Sequence, residues 1–236
     1  MSIWTKLGTF VSRISTGALT GVVDAVRTVF EGDPETRRNV AFSIAMIALS
    51  AKMAKADGVV TQDEVRAFQQ IFHVPDSERR NVSRLYDLAK QDISGYESYA
   101  RQMSSLCGAG EPGCPVMEDI LDGLFHIAKA DGVVHEDEMA FLKRVSDIFG
   151  FDDHGFRRIS ARHVDLGESD PYTVLGLERG VDFTLVRQRY RELVRENHPD
   201  RLIARGMPEE FIVIAHDRMA AINAAYAAIE KELATA

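Results

Sequence analysis

Cysteine and tryptophan are scarce in this chain, with two and one among 236 residues. Cys107 and Cys114 stand in a Gly/Pro-rich stretch with no second pair to complete a four-ligand zinc site. Two unlinked loop thiols in a reduced, cytosolic setting are therefore expected, rather than a redox pair. An excess of basic charge is also missing. The formal net charge is −8, with 9 basic against 11 acidic residues from position 170 onward and 19 against 25 before it. Neither part is basic, which opposes nucleic-acid binding as a main role.

Long hydrophobic runs are missing too. The uncharged stretch between Arg13 and Asp24 is too short for the roughly 20 residues a span needs, and it contains Ser15, Thr16, Gly17, Thr20 and Gly21. No secretory pattern of basic start, apolar core and small-residue cleavage site lines up. Residues 40–51 are apolar except for Ser43 and Ser50, a length that suits a buried helix, with Asp33 as its cap and Pro34 in its first turn. Near the start, Ile3, Trp4, Leu7, Phe10, Val11 and Ile14 make one apolar helical face with Lys6 and Arg13 beside it. Such a face suits a membrane surface, packing against the rest of the chain, or a second copy in a homodimer.

What the chain does have is an internal repeat. Residues 54–60, Ala-Lys-Ala-Asp-Gly-Val-Val, return at 128–134, and Asp63-Glu64 return as Asp137-Glu138. Each copy reads as a helix, a glycine at its C-terminal stop, an apolar pair and a new acidic helix start. In the first copy Thr61 and Glu64 form a capping box. Helices are expected near 61–72, 76–91, 95–106, 115–130, 135–149 and 153–164, followed by a polar linker over 165–169. The fold class is all-α, a helical bundle with internal duplication.

Capping accounts for Asp57, Gly58, Asp63 and Glu64. The alternative is metal. Gly58, Val60 and Glu64 fall at positions 6, 8 and 12 of a calcium loop, but positions 1 and 3 would be Met53 and Lys55, and Ile127 and Lys129 in the second copy, which rules out a normal one. A divalent cation would instead need Asp57, Glu64, Asp131 and Glu138 pooled from the two copies. Paired Asp-Gly motifs in an all-helical setting resemble the TerB family, associated with tellurite resistance, in which acidic residues have been linked to metal.

The C-terminal part carries a different pattern. Val186, Tyr190, Leu193, Val194 and Asn197 form one helical stripe, and Ala215, Met219, Ile222, Tyr226, Ile229 and Leu233 form another at alternating steps of four and three. Two such seams pack antiparallel as an αα-hairpin. Between them stands His198-Pro199-Asp200. Pro199 cannot continue the first helix, so the imidazole and carboxylate are expected to project from the connecting loop. Arg187, Arg191 and Arg195 recur every four residues and share one face, a basic ridge suited to an acidic groove. Upstream, Asp170 and Pro171 open a short helix stopped by Gly176, and Asp182 caps the arginine-bearing helix.

Tyr172 to Gly176, then Tyr190, Arg191 and Leu193, then His198 to Asp200, and finally Asn223, Ala225 and Tyr226 resemble the J domain of DnaJ-type co-chaperones. The longer loop over 201–208 is most similar to the DjlA branch, which carries a TerB-like region before a C-terminal J domain. The resemblance implies a protein that docks on a DnaK-type chaperone through His198, Pro199, Asp200, Arg187, Arg191, Arg195 and Arg201 and speeds its ATP hydrolysis. It implies no catalytic residue and no cofactor of its own, only the candidate cation above. The Cys-rich zinc region and Gly/Phe-rich linker of DnaJ itself are missing, as is the N-terminal transmembrane segment usual in the DjlA branch. The expected organisation is an amphipathic segment over 1–30, a TerB-like helical domain over 31–165 and a J-domain hairpin over 170–236. That makes a cytoplasmic co-chaperone, with the inner face of the membrane within reach of its N-terminal segment and the bundle available for a client. The competing reading is a metal-responsive stress adaptor acting through the acidic repeats. A general base at His198 is disfavoured, because no nucleophile stands nearby and Pro199 splits it from Asp200.

Overall fold

The computed structural model describes residues 3–13, 34–53, 68–69, 71–91, 96–104, 113–132, 134–163 and 169–235, and the regular structure among them is helical. In chain order the helices are α1 (Ile3–Arg13), α2 (Pro34–Met53), α3 (Arg79–Gln91), α4 (Tyr96–Ser104), α5 (Pro115–Ala128), α6 (Glu136–Ile148), α7 (Asp153–Ser160), α8 (Pro171–Leu175), α9 (Phe183–Glu196), α10 (Pro199–Arg205) and α11 (Val213–Thr235). Short 3₁₀ turns follow α5 at Lys129–Asp131 and precede α11 at Glu209–Phe211.

The apolar run foreseen as a buried helix is the centre of the bundle. Every residue of α2 from Val40 to Met53 is buried, and α1, α3, α4 and α5 pack around it. Its two serines fit because each hydroxyl finds an acceptor. Ser43 Oγ donates to the Asn39 carbonyl at 2.9 Å, and Ser50 Oγ reaches the Ile47 carbonyl at 3.0 Å and the Tyr86 hydroxyl at 2.7 Å. At Gly123 side chains of α2 and α11 close on α5, since a Cβ there would lie 2.5 Å from Met46 Cε and 2.8 Å from Ile214 Cδ1.

Between α5 and α6 the second repeat copy behaves as its residues dictate. Gly132 takes φ +100° after the 3₁₀ turn, a left-handed stop that favours glycine. The Glu138 carboxylate then accepts the His135 backbone N–H at 2.9 Å at the start of α6. The first copy, with Asp57, Thr61 and Glu64, and the 165–168 part of the linker lie outside the described residues.

Three sequence expectations are corrected. The first concerns the membrane-surface reading of the N-terminal face. Ile3, Trp4 and Leu7 are buried at 4, 2 and 0% exposure, so these three are committed to α2, α3 and the aromatic ring of Phe211. Packing wins because α1 supplies its large apolar side chains to a core that needs them. The second concerns Cys114, which is disulfide-bonded rather than an unlinked thiol. The third concerns the connection over 198–208, which holds a seven-residue helix, Pro199–Arg205, in place of an open loop. Pro199 begins α10 at its first position, where a missing N–H costs nothing. Gly206 ends it at φ +111°, with Arg38 Cβ 2.8 Å from where a Cβ would stand.

That helical connection ties the C-terminal part to the bundle. Leu202, Met207, Phe211, Ile214 and Ala215 belong to the same core as α1 to α7, whereas Tyr172, Val174, Leu175, Val186, Leu193, Ile222, Ala225 and Ile229 form a second core. The first part of α11 thus serves one core and its later part the other. Phe211 sits among Trp4, Phe42 and Phe72 with ring centroids 5.6, 5.4 and 4.6 Å away. The Ile3 backbone N–H adds a 2.9 Å hydrogen bond to Glu210.

Truncating Phe211 should therefore loosen α1 and the connection together. Phe211→Ala is expected to cost about 3–5 kcal/mol of stability and to shift the emission of Trp4, the sole tryptophan, to longer wavelength. Thermal melts with fluorescence detection check both. An unshifted emission maximum would mean that Trp4 does not rest on Phe211.

Candidate functional site

The two C-terminal seams meet as an antiparallel pair. Tyr190 stacks on Tyr226 with centroids 4.2 Å apart and donates its hydroxyl to Asn223 Oδ1 at 3.0 Å. Further along the pair Phe183 stacks on Tyr226 at 6.1 Å, and at the opposite end Arg218 meets Asn197. Val186, Leu193, Ile222 and Ile229 fill the seam, while Leu233 is 42% exposed and takes no part in it. Asp182 caps α9 by accepting the Thr184 N–H at 2.7 Å. Asp170 does not cap backbone; its carboxylate receives the Thr173 hydroxyl at 3.1 Å and the Arg179 guanidinium at 2.9 Å.

At the end of α9 the chain turns through Asn197 and presents His198-Pro199-Asp200. The side chains of His198 and Asp200 are 57% and 86% exposed. His198 is the N-cap of α10, its Nδ1 accepting the Asp200 N–H at 3.3 Å. A neutral ring accepting through Nδ1 carries its proton on Nε2, which leaves one donor for a partner. Arg187, Arg191, Arg195 and Arg201 are exposed. Arg187 lies over the Phe183 ring at 5.4 Å, and Arg195 Nε donates to the Arg191 carbonyl at 3.2 Å. Arg189, off this face, is held instead by Glu192, Glu196 and the Leu175 carbonyl. The ridge thus runs along α9 to the tripeptide that follows it, and the side chains of Arg187, Arg191, Arg195, His198, Asp200 and Arg201 all reach solvent.

The candidate cation ligands are not brought together among the described residues. Asp57 and Glu64 lie outside them, as does the side chain of Asp131, and Glu138 is engaged at the start of α6. No group of three or more His, Cys, Asp and Glu residues is placed to hold a metal among the described residues. Nor, among them, is any helix long and apolar enough to cross a membrane.

Behind the exposed tripeptide lies a buried ionic network that sequence reasoning missed. Three carboxylates of α5, Glu118, Asp119 and Asp122, face four guanidiniums. Arg158 holds both oxygens of Glu118 at 2.9 Å. Arg162 reaches Glu118 at 2.6 Å and Asp122 at 2.8 Å. Arg218, 2% exposed, reaches Asp119 at 2.8 Å, Asp122 at 2.5 Å and Asn197 Oδ1 at 2.8 Å. Arg205 reaches Asp119 from α10 at 3.1 and 3.2 Å. The His163 ring stacks flat on Phe125, 4.9 Å between centroids, and sets Nε2 2.7 Å from Asp122 Oδ1. A signal was available: Arg218 occupies a seam position, three residues after Ala215 and four before Ile222, where an apolar side chain is expected. Glu118, Asp119 and Asp122 likewise interrupt a largely apolar helix.

Burial by itself raises the carboxyls of Glu118 and Asp122, but the guanidiniums outweigh it. Arg162 and Arg158 hold Glu118, and Arg218 and Arg162 hold Asp122, well below the usual carboxylate range. Burial pushes Asp119 up against the pull of Arg218 and Arg205. Burial also pushes His163 down and so favours the neutral ring, against the pull of its hydrogen bond to Asp122. Arg218 stays charged, because Asp122 and Asp119 overcome the burial that opposes its charge.

Set beside known proteins, the chain matches the family model described as tellurite resistance protein TerB over residues 43–161. It is 27% identical to the co-chaperone protein DjlA of Photobacterium profundum over 224 residues, covering 83% of this chain and 79% of that protein. It is 28% identical to DjlA of Coxiella burnetii over 199 residues, covering 76% and 73%, and 25% identical to DjlA of Aliivibrio fischeri over 234 residues, covering 85% and 82%. No solved structure matches it.

The network makes stability depend on pH. Unfolded, His163 takes up a proton below about 6.5, and the carboxylates below about 4; folded, all three of His163, Glu118 and Asp122 resist it. Through these three groups the unfolded state binds more protons in both windows, so their contribution to stability is full above about pH 6.5 and is lost as the pH drops, while Asp119, whose carboxyl is pushed up, acts in the opposite sense. The melting temperature is expected to fall between about pH 7.5 and 5.5 in the wild type and much less in His163→Gln, whose amide still donates to Asp122. Both should fall below about pH 4.5. Equal slopes for the two proteins in the upper window would show that His163 is not a buried neutral group.

Proposed function

Because the chain belongs to the TerB family, and because it is similar to DjlA co-chaperones over most of its length, we propose that its C-terminal helical pair is a J domain serving a DnaK-type chaperone. The TerB-like part, with its duplicated helix–turn–helix unit, then carries the J domain and supplies targeting or a client surface. In this reading the protein is an activator and not an enzyme. It docks on the ATPase domain of its partner and raises the rate of ATP hydrolysis there.

One observation carries the reading. His198 and Asp200 stand exposed at the start of α10, directly beyond a helix face on which Arg187, Arg191 and Arg195 are also exposed. A recognition surface needs that combination: a charged ridge that orients an acidic partner, and a polar turn at its end that contacts it at close range. The turn acts by favouring one of two states of the partner, since a contact changes an equilibrium only through a difference in affinity between states. Arg201 extends the basic surface past the turn. The chemistry of ATP hydrolysis stays in the partner. The metal-adaptor alternative has less support, because Glu138 already has a backbone partner at the start of α6.

Two measurements test this. In single-turnover ATP hydrolysis by a DnaK-type chaperone, wild-type protein is expected to accelerate the reaction and His198→Gln to lose the acceleration with its fold intact. No acceleration by wild type would refute the J-domain function. Replacing Arg187, Arg191 and Arg195 together by alanine is expected to raise the half-saturating concentration on the order of tenfold at low salt, with the difference shrinking as salt rises. Equal activation by the triple variant at low salt would remove the ridge from the interface.

A further inference from the structure

We propose that Asp119, on the TerB-like side of the molecule, is a positioning residue for the His198–Asp200 turn. This rests on the reading of that turn as the partner-binding site and says what holds it. The turn is bracketed by two arginine contacts that converge on one buried carboxylate. On the entering side, Asn197 precedes His198 immediately. It is 6% exposed and lies at the C-terminal end of α9, where its backbone N–H and its Nδ2 both donate to the Leu193 carbonyl, at 2.9 and 2.8 Å. Its Oδ1 accepts from Arg218 Nη1, and the same nitrogen lies 2.8 Å from Asp119 Oδ1. On the leaving side, Arg205 in the last turn of α10 spans both oxygens of Asp119. Asp119 itself is 1% exposed.

The arrangement matters because α10 cannot hold itself. It has seven residues, too few for a stable helix on backbone hydrogen bonds alone. Leu202 buries one side of it, but apolar contact is non-directional and leaves a short helix free to slide or roll. Arginine–carboxylate contacts are directional. Two of them, one at each end of the turn and both ending on Asp119, fix how α10 and its first residues lie against α5. The exposed tripeptide then meets its partner in a set orientation, and less order is lost on binding. A rearrangement of α5 that displaced Asp119 would release the turn, so the bundle is in a position to modulate the activity of the J domain.

Amide hydrogen exchange on the full chain, paired with the ATPase assay, tests this. Arg205→Met keeps the packing of the stem and removes one anchor. Its side chain is 26% exposed, so the change leaves no unpaired buried charge, because Asp119 keeps Arg218. Asp119→Asn removes the negative charge and one of the two acceptor oxygens on which both contacts end. In both variants the amides of residues 200–206 are expected to exchange about tenfold faster or more, while the buried amides of α2 are unchanged. Arg205→Lys, which retains one charged contact, should restore most of the protection. The half-saturating concentration for ATPase stimulation should rise in the Met variant, with its salt dependence unaltered, since the exposed ridge is untouched. Unchanged exchange over 200–206 in Arg205→Met overturns the anchoring. If the wild type fails to stimulate the partner, the functional reading falls, and the exchange data alone decide whether Asp119 holds the turn.

Discussion

A guanidinium removed from water must be matched by carboxylates and hydrogen-bond acceptors, or its burial costs several kcal/mol. Arg218 imposes that requirement on this protein. It sits 2% exposed on α11, at a position where the helical seam otherwise carries apolar side chains, and it is matched by Asp119 and Asp122 from α5 and by Asn197 from the end of α9. The acids in turn need their other lone pairs filled, which brings in Arg162 and His163 after α7 and Arg205 from α10. Separating α11 from α5 would leave charges of both signs uncompensated, so these segments move as one.

Apolar packing supports the same connection from another side. Phe211, in the 3₁₀ turn before α11, joins the aromatic group of Trp4, Phe42, Phe68 and Phe72. The N-terminal helix and the segment that follows the His198 turn are thereby parts of one core. The later half of α11 belongs to a different core, closed by Tyr190 on Tyr226 and by the short helix α8. One long helix with two allegiances joins a presenting hairpin to a supporting bundle. The exposed groups of the hairpin, at the end of α9 and the start of α10, are those left over once both cores and the ionic network have taken their share.

Much of this was legible in the residues, and what was legible shared a property. The helix ends were visible because capping is local: Asp182 and Gly176 act within a few positions of themselves. The burial of residues 40–51 was visible because a uniformly apolar run has nowhere else to go. The arginine ridge was visible because spacing alone puts Arg187, Arg191 and Arg195 on one face, and the exposed tripeptide because Pro199 cannot continue the helix before it. The errors were of another kind. The 198–208 connection was expected as a loop, and its first part is helical because Leu202 finds a core to enter, with Met207 following it there after the helix ends, which no local pattern announces. The apolar face of α1 suited three environments equally, and only the presence of Phe211 beside Trp4 selects one of them.

By itself, the sequence determined the helical class, most helix boundaries, the left-handed glycine stops and the exposed chemistry at the end of α9, because each depends on neighbours a turn or less away. Tertiary structure alone decided that Asp119, Asp122, Arg162, Arg205 and Arg218 form one buried network, and that this network stands directly behind the His198 turn. Charged residues on separate helices carry no local mark of their partners. Whether a carboxylate at position 119 faces solvent or a guanidinium at position 218 is settled by which faces of α5 and α11 the two cores bring together, and by the cost of burying either charge alone.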